Sequence, residues 1–207
     1  MRCGAVAAAY GRALLSVRDE RHRSVLETGT SSADLYAAAS RLDAGTERDE
    51  LISMADSLRP VEQEIYSEAI VRALSSGLGY ETRIETGEFF TAIEAVKDHE
   101  TMIVLVDGPD VITDQIGLSG TTCVRKQEEF QQALAKEGVM MDLNLKKHLD
   151  PRGGEYADVF KSAGRMHAGS LAKGIVECVK QDPGMNPLQK KRTFVKRKAA
   201  GTRKVLV

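Results

Sequence analysis

The chain has 207 residues, of which 42% are hydrophobic, and its 29 basic and 30 acidic side chains give a net charge of −1. This composition is too apolar for a wholly disordered protein and supplies a core for one ordinary domain or two small ones. The longest apolar run, Met102–Val106, is far shorter than the roughly 20 residues of a membrane-spanning helix, so a transmembrane protein is not expected.

The first part of the chain predicts helices. Apolar residues recur at helical spacing over residues 5–26, in a second segment that starts near Ser32 and in a third that starts at Thr46. Pro60 is suited to the first turn of a fourth helix, where its missing N–H costs nothing. Residues 1–78 are therefore predicted to be helical.

The pattern changes after residue 78. Residues in Tyr80–Glu85 alternate in polarity and predict a short strand, while the apolar run Met102–Val106 predicts a buried strand closed by turn residues. Between them, the spacing of the apolar residues in Glu88–Lys97 predicts a helix. This part of the chain is therefore expected to be mixed.

Glycine and proline divide the remainder of the chain. Residues 110–122 are expected to form a loop, and residues 125–137 a helix with one apolar face. A long helix, weakened by three glycines, is predicted over residues 155–179. Pro183, Gly184 and Pro187 then end regular structure.

These elements predict a mainly α protein, with an α+β arrangement as the alternative. Residues 1–78 would form a helical part, and residues 79–182 a mixed α/β part with one short buried strand near residues 102–106. Residues 183–207 would form an extended basic tail. The length fits two compact parts and one continuous domain equally well.

The basic tail is the sharpest functional feature. No acidic residue follows Asp182, and residues 1–189 alone carry a net charge of −9. A basic segment of this density suits contact with phosphate groups or an acidic protein surface, without reading a base sequence. The basic residues of the tail are Lys190, Lys191, Arg192, Lys196, Arg197, Lys198, Arg203 and Lys204.

The leading hypothesis is therefore a non-enzymatic structural or linker subunit of a larger macromolecular assembly. Its acidic helical body would dock on other protein subunits, and its tail would bind an acidic surface or RNA and fold on binding. No catalytic residue is assigned. No metal site is predicted, because the sequence holds no Cys-x-x-Cys pair and no zinc-binding pair of histidines.

An alternative is a small phosphate- or metal-dependent enzyme that uses the segment 107–122. Asp107 and Asp110 follow an apolar strand, where carboxylates often hold a metal. Ser119 and Thr121 lie in a glycine-containing segment whose backbone N–H groups could face a phosphate. The same residue types are also ordinary turn formers.

A second alternative concerns the cysteines Cys3, Cys123 and Cys178. Each has a basic neighbour, which favours the thiolate and could bind the propionates of a thiol-linked tetrapyrrole. The chain would then be a pigment-bearing (bilin-type) linker of a light-harvesting antenna; otherwise no cofactor is predicted. Few, unpaired cysteines favour a reducing compartment, either the cytoplasm or the interior of a mitochondrion or plastid.

Overall fold

The structure is a computed structural model that describes residues 31–137, residue 139 and residues 157–188. The described residues form five α-helices and four β-strands, an α+β architecture. In chain order these are α1 (Ser32–Ala39), α2 (Thr46–Arg72), β1 (Glu81–Thr86), β2 (Thr91–Lys97), β3 (Glu100–Asp107), β4 (Asp110–Ile116), α3 (Gly120–Lys136), α4 (Ala157–Met166) and α5 (Leu171–Gln181).

The four strands form one antiparallel sheet in the order β1-β2-β3-β4. Each strand pairs with its neighbour in sequence, and one ladder of partners runs from Ile84 through Ile93 and Val104 to Thr113. β1 and β4 are consequently the two edge strands.

Helices cover both faces of this sheet. Alternate residues of a strand point to opposite faces. In β3, Val104 and Val106 face α2 and α3, in a first cluster that includes Ile70 and Phe130. Ile103 and Leu105 face α4 and α5, in a second cluster that includes Ile175. The molecule therefore has three layers, with the sheet in the middle.

The first cluster joins the two parts that the sequence separates at residue 78. Ile70 of α2 and Leu74 of the π-helical turn that follows it pack with Ile93 of β2 and Phe130 of α3. All four side chains are at most 2% exposed. The core is therefore continuous across the expected boundary.

The structure corrects the prediction for Pro60. The sequence predicts one helix that starts at Thr46 and another that starts at Pro60. In the structure they are one 27-residue helix, α2, with Pro60 in its interior. An internal proline removes one backbone hydrogen bond and costs about 3 kcal/mol. Packing of α2 on both sides of Pro60, through Leu58 against α1 and Ile65 in a separate cluster, offsets this cost.

Two other local predictions are wrong. The predicted helix over Glu88–Lys97 is strand β2, and the first part of the expected loop over residues 110–122 is strand β4. Both strands bury residues on both faces, as in Ala92–Ala95, so they lack the alternation that identifies a half-buried strand. The long helix predicted over residues 155–179 is two helices, α4 and α5, divided at residues 167–170.

Several predictions are confirmed. The strand predicted over Tyr80–Glu85 is β1, the run Met102–Val106 lies inside β3, and the helix over 125–137 corresponds to α3. The helix predicted over residues 5–26 and the basic residues of the tail lie outside the described residues.

Candidate functional site

The carboxylates Asp107 and Asp110 lie at the hairpin between β3 and β4, where Arg59 of α2 binds both. Arg59 Nε donates to Asp107 Oδ1 at 2.6 Å, and its Nη2 donates to the Asp107 carbonyl at 2.8 Å and to Asp110 Oδ2 at 2.9 Å. Burial raises the pKa of Asp107, and the Arg59 guanidinium opposes that rise. These contacts anchor the hairpin to α2.

Gly108 lets Arg59 approach this hairpin. Its φ of +59° lies in the left-handed region, and a Cβ atom at this position would come within 2.4 Å of Arg59 Cγ. The contact of Arg59 with both aspartates therefore excludes any residue larger than glycine at position 108.

Ser119 and Thr121 lie at the opposite end of the sheet, at the start of α3. A Cβ on the nearby Gly117 would lie 2.4 Å from the carbonyl oxygen of His99, which belongs to the turn between β2 and β3. That turn and Asp107 are separated by the length of β3, about 23 Å. The structure therefore does not bring the two halves of the expected phosphate and metal site together.

No group of three or more His, Cys, Asp or Glu side chains is placed to hold a metal ion within the part of the chain that the structure describes. The same part contains no helix that is both long enough and apolar enough to cross a membrane.

The two described cysteines are buried. Cys123 of α3 is 0% exposed, and Cys178 of α5 is 3% exposed, with its Sγ 3.0 Å from the sulfur of Met166. Burial raises the pKa of Cys178. A pigment linked to either thiol would have to displace packed side chains. Cys3 lies outside the described residues.

Two buried glutamates bind the N-termini of helices from other elements. Glu62 of α2 accepts from the Ser32 backbone N–H at 2.9 Å and from its hydroxyl at 2.5 Å, at the start of α1. Glu94 of β2 accepts from the N–H of Leu171 at 2.9 Å, at the start of α5. Carboxylates are favoured at helix N-termini. Both residues therefore position helices, and burial raises the pKa of Glu62.

A concave feature lies between α2 and the edge strand β1; we call it the α2–β1 groove. It has a volume of about 570 Å³. Seven residues at helical spacing on α2 form one wall of the groove, and the sheet supplies three further lining residues. The lining residues are Pro60, Gln63, Glu64, Ser67, Glu68, Val71, Arg72, Ile84, Thr86 and Thr91.

Ile84 makes the sheet side of the groove apolar. It is 52% exposed, although it pairs with the fully buried Ile93 of β2 on the face that α2 partly covers. Among the described residues, no strand pairs with the outer edge of β1. An exposed edge carries unpaired N–H and C=O groups that can accept another strand.

Two polar side chains in the groove have unused hydrogen-bonding capacity. Ser67 is 9% exposed, and its Oγ has no hydrogen-bond partner among the described residues. Arg72 forms ion pairs with Glu137 at 3.3 Å and Glu68 at 3.7 Å, but its Nε and Nη2 make no aligned hydrogen bond there. Buried hydroxyls usually have a hydrogen-bond partner, so Ser67 Oγ is available to a ligand in the groove.

The groove lies on the most acidic part of the chain. Residues 31–137 carry 21 acidic and 9 basic side chains, a net charge of −12. Glu64 and Glu68 line the groove itself, and Glu81 and Glu85 lie on β1. The surroundings therefore favour a positively charged ligand.

Sequence reasoning missed the groove, Arg59 and the two helix-binding glutamates. One signal was available, since Glu94 interrupts the apolar stretch from Ala92 to Val96 and so marks a buried charge that needs partners. Comparison with protein-family models, curated proteins and solved structures gave no match for this chain.

Proposed function

We propose that this protein is a non-enzymatic docking subunit of a larger assembly, whose α2–β1 groove receives an extended segment of a protein. The observation that carries the proposal is the edge of β1, which no described strand covers, beside a groove that contains the buried hydroxyl of Ser67 without a described hydrogen-bond partner. The basic tail, in this proposal, binds an acidic surface or RNA.

The outer edge of β1 supplies the main-chain part of the interaction. An extended segment that lies beside β1 would continue the sheet through backbone hydrogen bonds, a common mode of peptide recognition. Alternate side chains of that segment would face the groove and cover Ile84 and Val71. Burial of these apolar side chains contributes roughly 25 cal/mol per Å².

The wall on α2 supplies the polar part. Ser67 Oγ can donate to a carbonyl of the bound segment, and Arg72 can donate through its Nη2. Glu64 and Glu68 favour a segment with lysine or arginine on either side of an apolar residue. The groove is thereby suited to basic, extended segments.

The two alternatives have less support. An enzyme that uses the segment 107–122 would need Asp107 and Ser119 in one site, and these residues lie at opposite ends of the sheet. A pigment-bearing linker would need accessible thiols, and Cys123 and Cys178 are buried.

A matched pair of variants tests the proposal. Ile84→Gln removes the apolar floor of the groove, and Met166→Gln removes the other large hydrophobic side chain that is exposed in the described residues. The tagged full chain and both variants would be purified from the native source and their bound proteins quantified by mass spectrometry. We expect wild type and Met166→Gln to retain a stoichiometric protein partner that Ile84→Gln loses at least tenfold. Equal recovery by all three forms would contradict the proposal.

The role of the tail is tested separately by a salt series. Deletion of residues 190–207 should weaken assembly and reduce its dependence on salt, because each basic residue on an anionic surface releases counterions. An unchanged salt slope after deletion would reject this role.

A further inference from the structure

We propose that two copies of this chain pair through the outer edges of their β1 strands and join their four-stranded sheets into one. This inference concerns the same edge as the proposed function but goes beyond it, because the dimer forms without any other protein. A second copy is the occupant that fits, since the side chains of β1 are complementary to those of an antiparallel copy of the same strand.

The two faces of β1 carry different chemistry. Ile84 pairs with Ile93 of the first cluster, and directly opposite residues share a face, so Ile84 lies on the face of α2. Arg83 and Glu85 therefore lie on the other face, with α4 and α5. There Arg83 Nη1 donates to the carbonyl of Gly169 at 2.7 Å. The apolar side chain and the two opposite charges are thus separated by the sheet.

One antiparallel register matches both faces at once. With Ile84 on the two-fold axis, Arg83 of one copy lies opposite Glu85 of the other, and symmetry repeats this pair. On the opposite face, Thr82 of one copy lies opposite Thr86 of the other. Opposite charges and paired threonines are both favourable when they are directly opposite in antiparallel strands.

The neighbouring registers are unfavourable. A shift of two residues places Arg83 opposite Arg83 or Glu85 opposite Glu85, and like charges directly opposite each other destabilise a sheet. A shift of one residue places a charged side chain opposite Ile84 and turns the two sheets in opposite directions. The sequence of β1 therefore selects the register that is centred on Ile84.

This register also covers the exposed Ile84. Its side chain is 52% exposed, and on the axis it would lie beside its symmetry mate, with the Cβ atoms about 4.5–5.5 Å apart. The net charge of the whole chain is only −1, so two copies carry little net repulsion. The strand is short, and the small interface that it forms predicts a dissociation constant on the order of 10 µM.

A basic partner segment would displace the second copy. The residues that the second copy presents on the face of the groove, Thr82, Ile84 and Thr86, are uncharged. They offer no cation to Glu64 and Glu68, whereas a basic segment would add ion pairs with both. The dimer therefore covers the edge of β1 and keeps it from pairing with unrelated strands until that partner binds.

Sedimentation velocity of the purified full chain over a range of concentrations tests the inference. We expect a reversible equilibrium between monomer and dimer. Arg83→Glu and Glu85→Arg should each weaken the association at least tenfold, because each places two pairs of like charges opposite each other. Glu128→Arg, the same change of charge at an exposed position of α3, should leave it unchanged.

An equal mixture of Arg83→Glu and Glu85→Arg tests the register itself. We expect the mixture to recover the affinity of wild type, since an acid again lies opposite a base in both pairs of the mixed dimer. A chain that stays monomeric at every concentration would overturn the inference. A dimer that neither charge variant weakens, or a mixture that recovers no affinity, would overturn it as well.

A disulfide trap provides a second measurement that does not depend on Arg83. In a Cys3→Ser background, Ile84→Cys places two thiols on the axis, within the range of a disulfide. The matched control, Thr86→Cys, lies about 14 Å from its symmetry mate. With oxidised glutathione, Ile84→Cys should form linked dimers at least fivefold faster than Thr86→Cys. Equal rates for the two variants would contradict the proposed register.

The purified chain alone decides this inference, whereas recovery of a partner of different sequence decides the proposed function. A monomeric chain that loses such a partner on Ile84→Gln would overturn the dimer and support the proposed function. A dimer with the expected register, and no partner recovered from the native source, would support the dimer and overturn the proposed function.

Discussion

Glu94 of β2 accepts a hydrogen bond of 2.9 Å from the backbone N–H of Leu171, the first residue of α5. The same carboxylate oxygen accepts from the hydroxyl of Ser170 at 3.1 Å. This contact joins the middle of the sheet to the helical layer on its second face. It also places a negative charge at the positive end of a helix.

Loss of this carboxylate should destabilise the protein. We expect Glu94→Ala to lower the free energy of unfolding by about 2 kcal/mol, because buried helix N–H groups lose their acceptor. Glu94→Gln, which keeps an acceptor and loses the charge, should cost about 1 kcal/mol. Urea unfolding followed by circular dichroism measures both, with the exposed Glu128→Ala of α3 as control. Equal stability of Glu94→Ala and the control would contradict the role.

Arg59 should contribute more to the stability of the folded protein than the other arginines of α2. We expect Arg59→Ala to lower the free energy of unfolding by about 3 kcal/mol, because it leaves the largely buried Asp107 without its cation. Arg59→Lys should retain only part of the lost free energy of unfolding, since an ammonium cannot reproduce the arrangement of Nε and Nη2. Arg48→Ala, on the same helix, should change stability little. A loss at Arg59 no greater than at Arg48 would show that the hairpin does not depend on this contact.

Glu62 should make stability depend on pH. Burial raises its pKa above the ordinary value of 4.5, so the folded state holds the proton more tightly than the unfolded state does. The stability that this group contributes is present below pH 4.5 and declines as pH rises through the raised pKa. Glu62→Gln keeps the size and one acceptor oxygen for Ser32 without the charge.

Melting temperatures of wild type and Glu62→Gln across a pH series measure this effect. We expect Glu62→Gln to gain stability relative to wild type as pH rises from 4.5 to neutrality. A difference between the two proteins that stays constant over this range would contradict the assignment.

Two helical glycines should respond in opposite directions to substitution by alanine. A Cβ on Gly174 of α5 would lie 2.3 Å from the carbonyl oxygen of Ala163 in α4, so Gly174→Ala should separate these helices and cost about 2 kcal/mol. Gly164 of α4 has no atom within 4 Å of such a Cβ. Gly164→Ala should therefore stabilise the protein by about 0.5–1 kcal/mol through helix propensity. Thermal unfolding of both variants measures these changes. Shifts of the melting temperature with the same sign in both variants would contradict the packing of α4 against α5 at Gly174.

The sequence predicted elements with a clear hydrophobic pattern. The apolar run Met102–Val106 identified β3, and the apolar face that contains Phe130 identified α3. β2 was not predicted as a strand because Ala92–Ala95 is buried on both faces and shows no alternation of polar and apolar residues. Pro60 was misleading because a local rule for helix starts does not include the tertiary packing that keeps α2 helical on both sides of it.

The α2–β1 groove could not be predicted from the sequence for a different reason. Ser67 and Ile84 line the same groove only because α2 packs over the sheet. Glu64 and Glu68, taken alone, look like any solvated helix face. Asp107 and Ser119 are close in sequence and far apart in space, because one strand separates them.

The sheet's connectivity also determines when its second face becomes covered. Only short turns join its strands, so residues 81–116 can pair locally and rapidly. α4 and α5 begin at residues 157 and 171, well after the sheet is complete. During synthesis the apolar face that contains Ile103 and Leu105 therefore lacks the helices described as covering it until the chain has been made through Leu188. A growing chain should be most prone to aggregate in that interval, and chaperones should act on it there.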